Sequence, residues 1–339
     1  MKISVVIPVY NGEGHLANAI KSLQDGTCGD WEAVIVDDGS TDGTLRIAEE
    51  LAAKDGRIRV VHQANGGVSS ARNHGMDESH GDWIAWLDAD DAYVPNAIET
   101  IARLASANSD CNCLQFPYNE MLADGGFSAR VPKAYREAGG RTHSGKEAFT
   151  ALYAKNGQAG LHWQPWRFVF RRDSLPRFRN GVIHEDLDVL PLFMYSLDKV
   201  YIATEPLYVY RPAREGAATA SFSPKRVKDI IDVTSHVYSR MAELKMDEAV
   251  EKAFKSTLAC NLFGFYLAAP GFQEPDRSET LALFAEHREW LSAIAEPPRT
   301  AWIKRLAIRM LGVRGAASLL WRLSARRGMH RLDSQDRQK

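Results

Sequence analysis

Four short apolar runs, residues 3–8, 33–36, 58–61 and 83–87, each stop at a polar cluster: Tyr10-Asn11, Asp37-Asp38, Asn65-Gly66-Gly67 and Asp88-Ala89-Asp90. Between the runs lie stretches with helical spacing. HLANAIKSL places Leu16, Ala19, Ile20 and Leu23 on one face, and LRIAEELAAK and VSSARNHGMDES follow the same period. Runs that are apolar throughout, not alternating, belong to strands covered on both faces. The pattern therefore predicts an α/β fold with a mostly parallel sheet flanked by helices. Ligands of such sheets bind at the carboxyl ends of the strands. The four clusters are expected on one edge, as one site.

The acids set the chemistry of that edge. WLDADDAY drives an apolar strand into Asp88, Asp90 and Asp91. One reading is a solvated turn whose aspartates cap the next helix; the other is a divalent cation site that takes a phosphate ligand. A dinucleotide-binding turn fits poorly: Gly12 and Gly14 are followed by Ala17 where a third glycine belongs, and Glu13 repels a pyrophosphate. No Walker motif is present. A hard cation, Mn or Mg, held by Asp88 and Asp90 offers another means of binding a diphosphate. Asp42 reads as a turn or cap residue, and His62 and His74 lack partners at metal spacing.

In this order and at these intervals, VVIPVYNGEGHLANAIKSL, VDDGSTDGT, NGGVSSARNHG and WLDADD resemble the donor-binding half of family 2 glycosyltransferases. The resemblance is strong over about the first hundred residues, partial to about residue 215 and absent beyond. It implies a GT-A type fold: a Rossmann-like sheet covered by helices, here with a mainly helical C-terminal region. It also implies sugar transfer from a nucleotide diphosphate donor with inversion at the anomeric carbon. Pro8, Tyr10 and Glu13 match the loop that wraps the nucleoside, and Asp37 and Asp38 the pair of which one reads the base or ribose. Arg72 matches the arginine beside the nucleotide; a surface helix position is its other reading. Asp88, Ala89 and Asp90 match the DXD element, the first acid toward ribose and sugar and the second toward metal.

Inverting transfer needs a carboxylate that takes the acceptor's proton opposite the leaving group. The family carries a Glu-Asp pair well after the DXD element, and in NGVIHEDLDVLPLF this is Glu185-Asp186. The resemblance implies Asp186 as base and Glu185 as support; complementing a helix dipole is the plainer role for both. LYVYRPAREGAATAS resembles the family's Tyr-x-Tyr-Arg segment, where Arg211 or Arg214 faces either a diphosphate or solvent. Trp163 and Trp166 are candidates to stack on a sugar ring or to fill the core. Arg167 stands where the family usually has a lysine, which leaves the acceptor contacts open.

The remaining sequence narrows the setting. The chain has 339 residues, 45% hydrophobic and 25% charged, with net charge −1. That composition is globular and gives no electrostatic case for nucleic acid. Cys28, Cys111, Cys113 and Cys260 are too scattered for a disulfide framework and are expected as reduced thiols. MKISVVIPVY lacks signal-peptide character, and no run approaches the roughly 18 apolar residues of a spanning helix. A cytoplasmic location is expected. Residues 299–331 hold nine Lys/Arg and no Asp or Glu. Trp302, Ile303, Leu306, Met310, Val313, Ala317, Leu320 and Trp321 project to one face of this segment. It is expected either on the cytosolic face of an anionic membrane or packed on its own domain.

The expected parts are 1–110 for donor binding, 111–224 for acceptor binding and catalysis, 225–298 helical, and 299–339 basic and amphipathic, with a hinge at Glu296-Pro297-Pro298. The expected activity is transfer of a hexosyl or N-acetylhexosaminyl unit from a nucleotide diphosphate sugar, expected to be UDP-linked, to a glycan or lipid-linked acceptor in cell-surface polysaccharide synthesis. The alternatives are a nucleotidyltransferase, which leaves Glu185-Asp186 without a task, and a non-catalytic nucleotide-sugar-binding subunit, which tolerates loss of Asp186.

Overall fold

The computed structural model describes residues 1–122, 126–154, 163–212, 223–293 and 301–325. The opening alternation is β1 (Ile3–Val9), α1 (Leu16–Gln24), β2 (Trp31–Asp37), α2 (Thr44–Lys54), β3 (Ile58–His62), α3 (Val68–Glu78) and β4 (Trp83–Trp86). Every residue of β1, β2 and β4 is buried, which accounts for their mostly apolar, non-alternating character; Ser4, Glu32 and Asp37 are the polar exceptions. Pro8 is tolerated inside β1 because the ladder to β4 ends at Val6. Gly75 lets α3 lie close on the sheet: a Cβ there would stand 2.4 Å from a Val6 methyl.

The chain continues through β5 (Ala92–Tyr93), α4 (Ala97–Ala107), β6 (Cys113–Gln115), β7 (Tyr118–Met121) and β8 (Phe127–Arg130). It then forms α5 (Lys133–Ala138), β9 (Arg141–His143), α6 (Gly145–Phe149), β10 (Phe168–Arg171), α7 (Glu185–Tyr195), β11 (Val200–Ile202) and β12 (Tyr208–Tyr210). An eight-stranded sheet has the order β3-β2-β1-β4-β10-β6-β11-β9. Strands β1 to β4 are mutually parallel, and β6 pairs parallel with β11. β10 runs against β4 with Val169 opposite Ala85. Its start, and residues 164–167 before it, therefore lie at the edge where β4 ends.

A smaller sheet, β5-β12-β7-β8, stands at that same edge. Its first strand begins directly after Asp91, and β12 ends directly before Arg211. The DXD turn is thus clamped between the large sheet and the small one.

Two compact units divide the chain, Met1–Ala151 with His162–Pro212, and Leu152–Leu161 with Ala213–Lys339. The parts expected as 1–110 and 111–224 share the large sheet, and up to Pro212 they lie in the first unit except for Leu152–Leu161, which belongs to the second. The second unit contains α8 (Pro224–Leu244), α9 (Glu248–Ala268), α10 (Asp276–Glu286), α11 (Arg288–Ser292) and α12 (Ala301–Ala325). The expected hinge at Glu296-Pro297-Pro298 lies outside the described residues.

The single apolar stripe projected along the basic segment is corrected. Gly312 takes φ 67 and ψ 174, which breaks α12 and resets its faces. Val313 and Ala317 are buried, whereas Leu306 and Met310 are exposed. Among the described residues, no helix is long and apolar enough to cross a membrane. The four cysteines are free thiols, with Cys111 and Cys113 buried.

Candidate active site

The loops after β1 and β2 are stitched together. The Asn11 side chain accepts from the Thr41 N–H at 2.8 Å, and the Gly12 N–H donates to Thr44 Oγ1 at 2.8 Å. Glu13 Oε2 accepts from the Gly43 N–H at 2.7 Å, so this carboxylate orders the neighbouring turn. Asp42 accepts from the Thr44 N–H, as a turn acid should. Tyr10 remains 52% exposed above this stitched floor.

Asp37 and Asp38 are both buried but do different work. Asp38 accepts from the Gly66 and Gly67 N–H groups at 2.8 Å and from Gln63 Nε2 at 2.7 Å, which shapes the turn that starts α3. Gly39, at φ 73, is required there because a Cβ would meet Asn65 N at 2.8 Å. Asp37 Oδ2 pairs with His62 Nδ1 at 2.7 Å, while its Oδ1 is buried without a partner among the described residues. His74 Nδ1 lies 2.8 Å from Gln63 Oε1. Both histidines therefore serve the loop, and among the described residues neither belongs to a group that could hold a metal.

At the end of β4, Asp88 is partly exposed, Asp90 exposed and Asp91 buried. Asp91 is neither a cap nor a free ligand. Its Oδ1 accepts from the Arg211 N–H at 2.7 Å and its Oδ2 from the Tyr208 hydroxyl at 2.9 Å. The same hydroxyl accepts from the Asp88 N–H at 3.1 Å. A chain of hydrogen bonds thus fixes the turn to β12. Ala89 sits against the β1 loop, where a Cβ on Gly12 would come within 3.8 Å of its own.

Arg72 joins this turn to the second carboxylate station. It is buried in α3, not on the surface, with Nη1 on Glu185 Oε1 at 2.5 Å and Nη2 on Asp88 Oδ1 at 3.2 Å. The adjacent Asn73 donates to the Phe178 carbonyl and accepts from the Phe178 N–H, which pins the segment leading into α7. Glu185, Asp186 and Asp188 all occupy the first turn of α7, where acids complement the helix dipole. Their partners separate them. Asp188 is held by both nitrogens of an Arg179 fork at 3.0 and 3.1 Å, and Glu185 is held by Arg72. Asp186 has no cation of its own among the described residues and accepts from the Leu187 N–H of its own turn, at 2.7 Å.

Electrostatics sets this edge apart from the opposite one. At the amino edge, burial works to raise Glu32, but the Ser4 hydroxyl, the His80 N–H and Lys2 outweigh it and hold the group at about 2. At the carboxyl edge the balance reverses. Burial and the Asp88 charge push Asp91 up to about 8. Burial and Glu185 push Asp186 up to about 7 against the pull of Arg72. Asp88 is raised by burial, opposed by Arg72 and reinforced by Asp90. Acids that the protein leaves under-compensated in one place mark a functional site.

The aromatic candidates are packed. Trp163 and Trp166 are 3% and 4% exposed, and Trp166 lies parallel to Tyr208 with centroids 4.4 Å apart. Trp166 thereby supports the tyrosine that braces the DXD turn. Arg167 is buried among the rings of Tyr118, Tyr135 and Trp166, at 5.0, 4.9 and 5.9 Å. Arg211 contributes its backbone N–H to Asp91. Arg214 lies outside the described residues. Asn73, Arg179 and Tyr208 were not legible as site residues, because only their partners far along the chain give them a role.

Among the described residues, no group of three or more His, Cys, Asp or Glu could hold a metal unaided. Asp88 and Asp90 nevertheless suit a cation that arrives with its own oxygen ligands. Asp90 is exposed, and hard carboxylates in ones or twos hold Mg or Mn when phosphate oxygens and water complete the shell.

Sheet order and the flanking helices give the chain a fold of GT-A architecture. The model of glycosyl transferase family 2 matches residues 4–172, and the chain belongs to that family. It is 28% identical over 262 residues to the glycosyltransferase GlyG of Streptococcus pneumoniae, covering 73% of this chain and 83% of that one. The cholesterol galactosyltransferase of Borreliella burgdorferi is 38% identical over 234 residues, 66% of this chain and 63% of its own. The uncharacterized glycosyltransferase EpsJ of Bacillus subtilis is 29% identical over 228 residues, 66% of this chain and 64% of EpsJ. The chain thus spans less than two thirds of the last two relatives' length. In fold it resembles S. aureus TarS 1-349, solved in complex with UDP-GlcNAc, with a TM-score of 0.63 at 19% identity, covering 97% of this chain and 92% of that one.

Proposed function

We propose that the protein is an inverting transferase that moves a hexosyl or N-acetylhexosaminyl unit from a nucleotide diphosphate sugar to a hydroxyl of a glycan or lipid-linked acceptor. The setting is cell-surface polysaccharide synthesis. UDP is the first donor nucleotide to test, since TarS was crystallised with UDP-GlcNAc. The observation that carries the proposal is Arg72, which touches both the DXD turn and the Glu185-Asp186 station. It supports a single site in which donor and base act together.

Tyr10, Asp37 and Asp38 belong to the nucleoside end. Asp88 and Asp90 would hold Mg or Mn, which when bound supplies positive charge to the departing diphosphate. Asp186 takes the proton of the acceptor hydroxyl. The freed oxygen bonds to the anomeric carbon as its bond to the diphosphate breaks, and the diphosphate leaves with the electron pair. Asp186 suits this task because its neighbours are otherwise engaged and its value of about 7 lies near working pH.

Thermal stabilisation by a panel of nucleotide sugars, with and without manganese, tests the donor assignment. A donor at a hundred times its Kd stabilises by about 2.7 kcal/mol. Asp90→Ala should remove the manganese-dependent part. Stabilisation by nucleoside triphosphates alone would favour a nucleotidyltransferase and overturn the proposal.

A further inference from the structure

α12 carries a surface that the transfer reaction leaves unexplained. Its inner face is satisfied within the second unit: Ile308, Val313, Ala316 and Ala317 are buried, and the Tyr266 hydroxyl donates to the Val313 carbonyl at 2.6 Å. Its outer face is not. Leu306, Met310, Leu311, Leu319 and Leu323 are 45, 75, 51, 44 and 49% exposed. They make up half of the ten large hydrophobic side chains exposed among the described residues. Arg309, Arg314 and Arg322 are exposed on the same helix. The surrounding segment, 299–331, has nine basic residues and no acid.

We infer that this outer face docks the protein on an anionic lipid bilayer. Apolar tips flanked by arginine, with no acid between them, match an interface of acyl chains beneath negative headgroups. A second copy of the chain is a poor occupant, because two such faces bring like charge against like charge. The kink at Gly312 has a use here: it turns Leu306 and Met310 outward while Val313 and Ala317 stay buried.

Co-sedimentation of the full chain with vesicles tests it. Vesicles of phosphatidylcholine with about one third phosphatidylglycerol should capture the protein, with capture weakening as salt rises, and pure phosphatidylcholine should not. Met310→Ser with Leu311→Ser should lower partitioning by about tenfold or more. Arg314→Gln with Arg322→Gln should lower it by about fivefold per charge. Unchanged melting temperatures would show that these exposed substitutions leave the fold intact. No enrichment on anionic vesicles, or equal binding by the serine variant, would overturn the inference. So would a concentration-dependent dimer that the serine variant abolishes. Transfer to a soluble acceptor should persist in both variants, which separates this test from that of the reaction.

Discussion

Arg72→Gln removes the cation shared by Asp88 and Glu185 while keeping a polar side chain. The side chains of Arg72, Glu185 and Asp88 are 5, 12 and 29% exposed, so water restores little of what is lost. Breaking a buried pair by removing one partner costs about 3–5 kcal/mol, and the partial exposure of Asp88 places this case near about 3 kcal/mol. The loss depends on pH. Asp186 already stands at about 7, with Arg72 among the groups that pull it down. Without Arg72, its folded value and that of Asp88 rise further above the unfolded carboxylate range. A raised folded pKa gives stability that is full below the unfolded value and lost as pH climbs through the folded one. The variant's deficit should therefore be small near about pH 4 and largest above about pH 8. Urea unfolding of both proteins across this range measures it. A deficit below about 0.5 kcal/mol at the alkaline end, or one equal at every pH, would refute the reasoning.

Other consequences follow from the same contacts. Glu185→Gln removes the like charge that helps raise Asp186, so the acid limb of the kcat/KM profile should move below about 7. A limb that moves upward contradicts the assignment. Tyr208→Phe deletes the hydroxyl shared by Asp88 and Asp91. It should cost about 1–3 kcal/mol of stability and also weaken manganese-dependent donor binding. Lost stability with unchanged donor affinity would reduce Tyr208 to a packing role.

Much of the first hundred residues was legible because burial on both faces writes itself as an unbroken apolar run. β1 and β3 extend the expected runs by one residue and β2 by three, while β4 stops one residue short at Trp86. The small sheet was not legible: β5 and β12 have two and three residues, too few for any period to register. The stripe on α12 misled because one glycine, Gly312, changes the phase of a helix without changing its composition. Within the site, the acids were visible but their ranking was not. Asp186 and Asp188 look alike in HEDLD, and only the fork of Arg179 separates them. The bond from Arg72 to Glu185 spans 113 positions and that from Arg211 to Asp91 spans 120, distances over which local pattern is silent.

The central claim is that Asp186 is the base while the acids after β4 hold the donor. Asp186→Asn tests it when donor affinity and sugar transfer are measured on the same preparation. Donor affinity should stay within about threefold of the native protein, and transfer should fall by about a hundredfold or more. Native turnover by this variant would contradict the account.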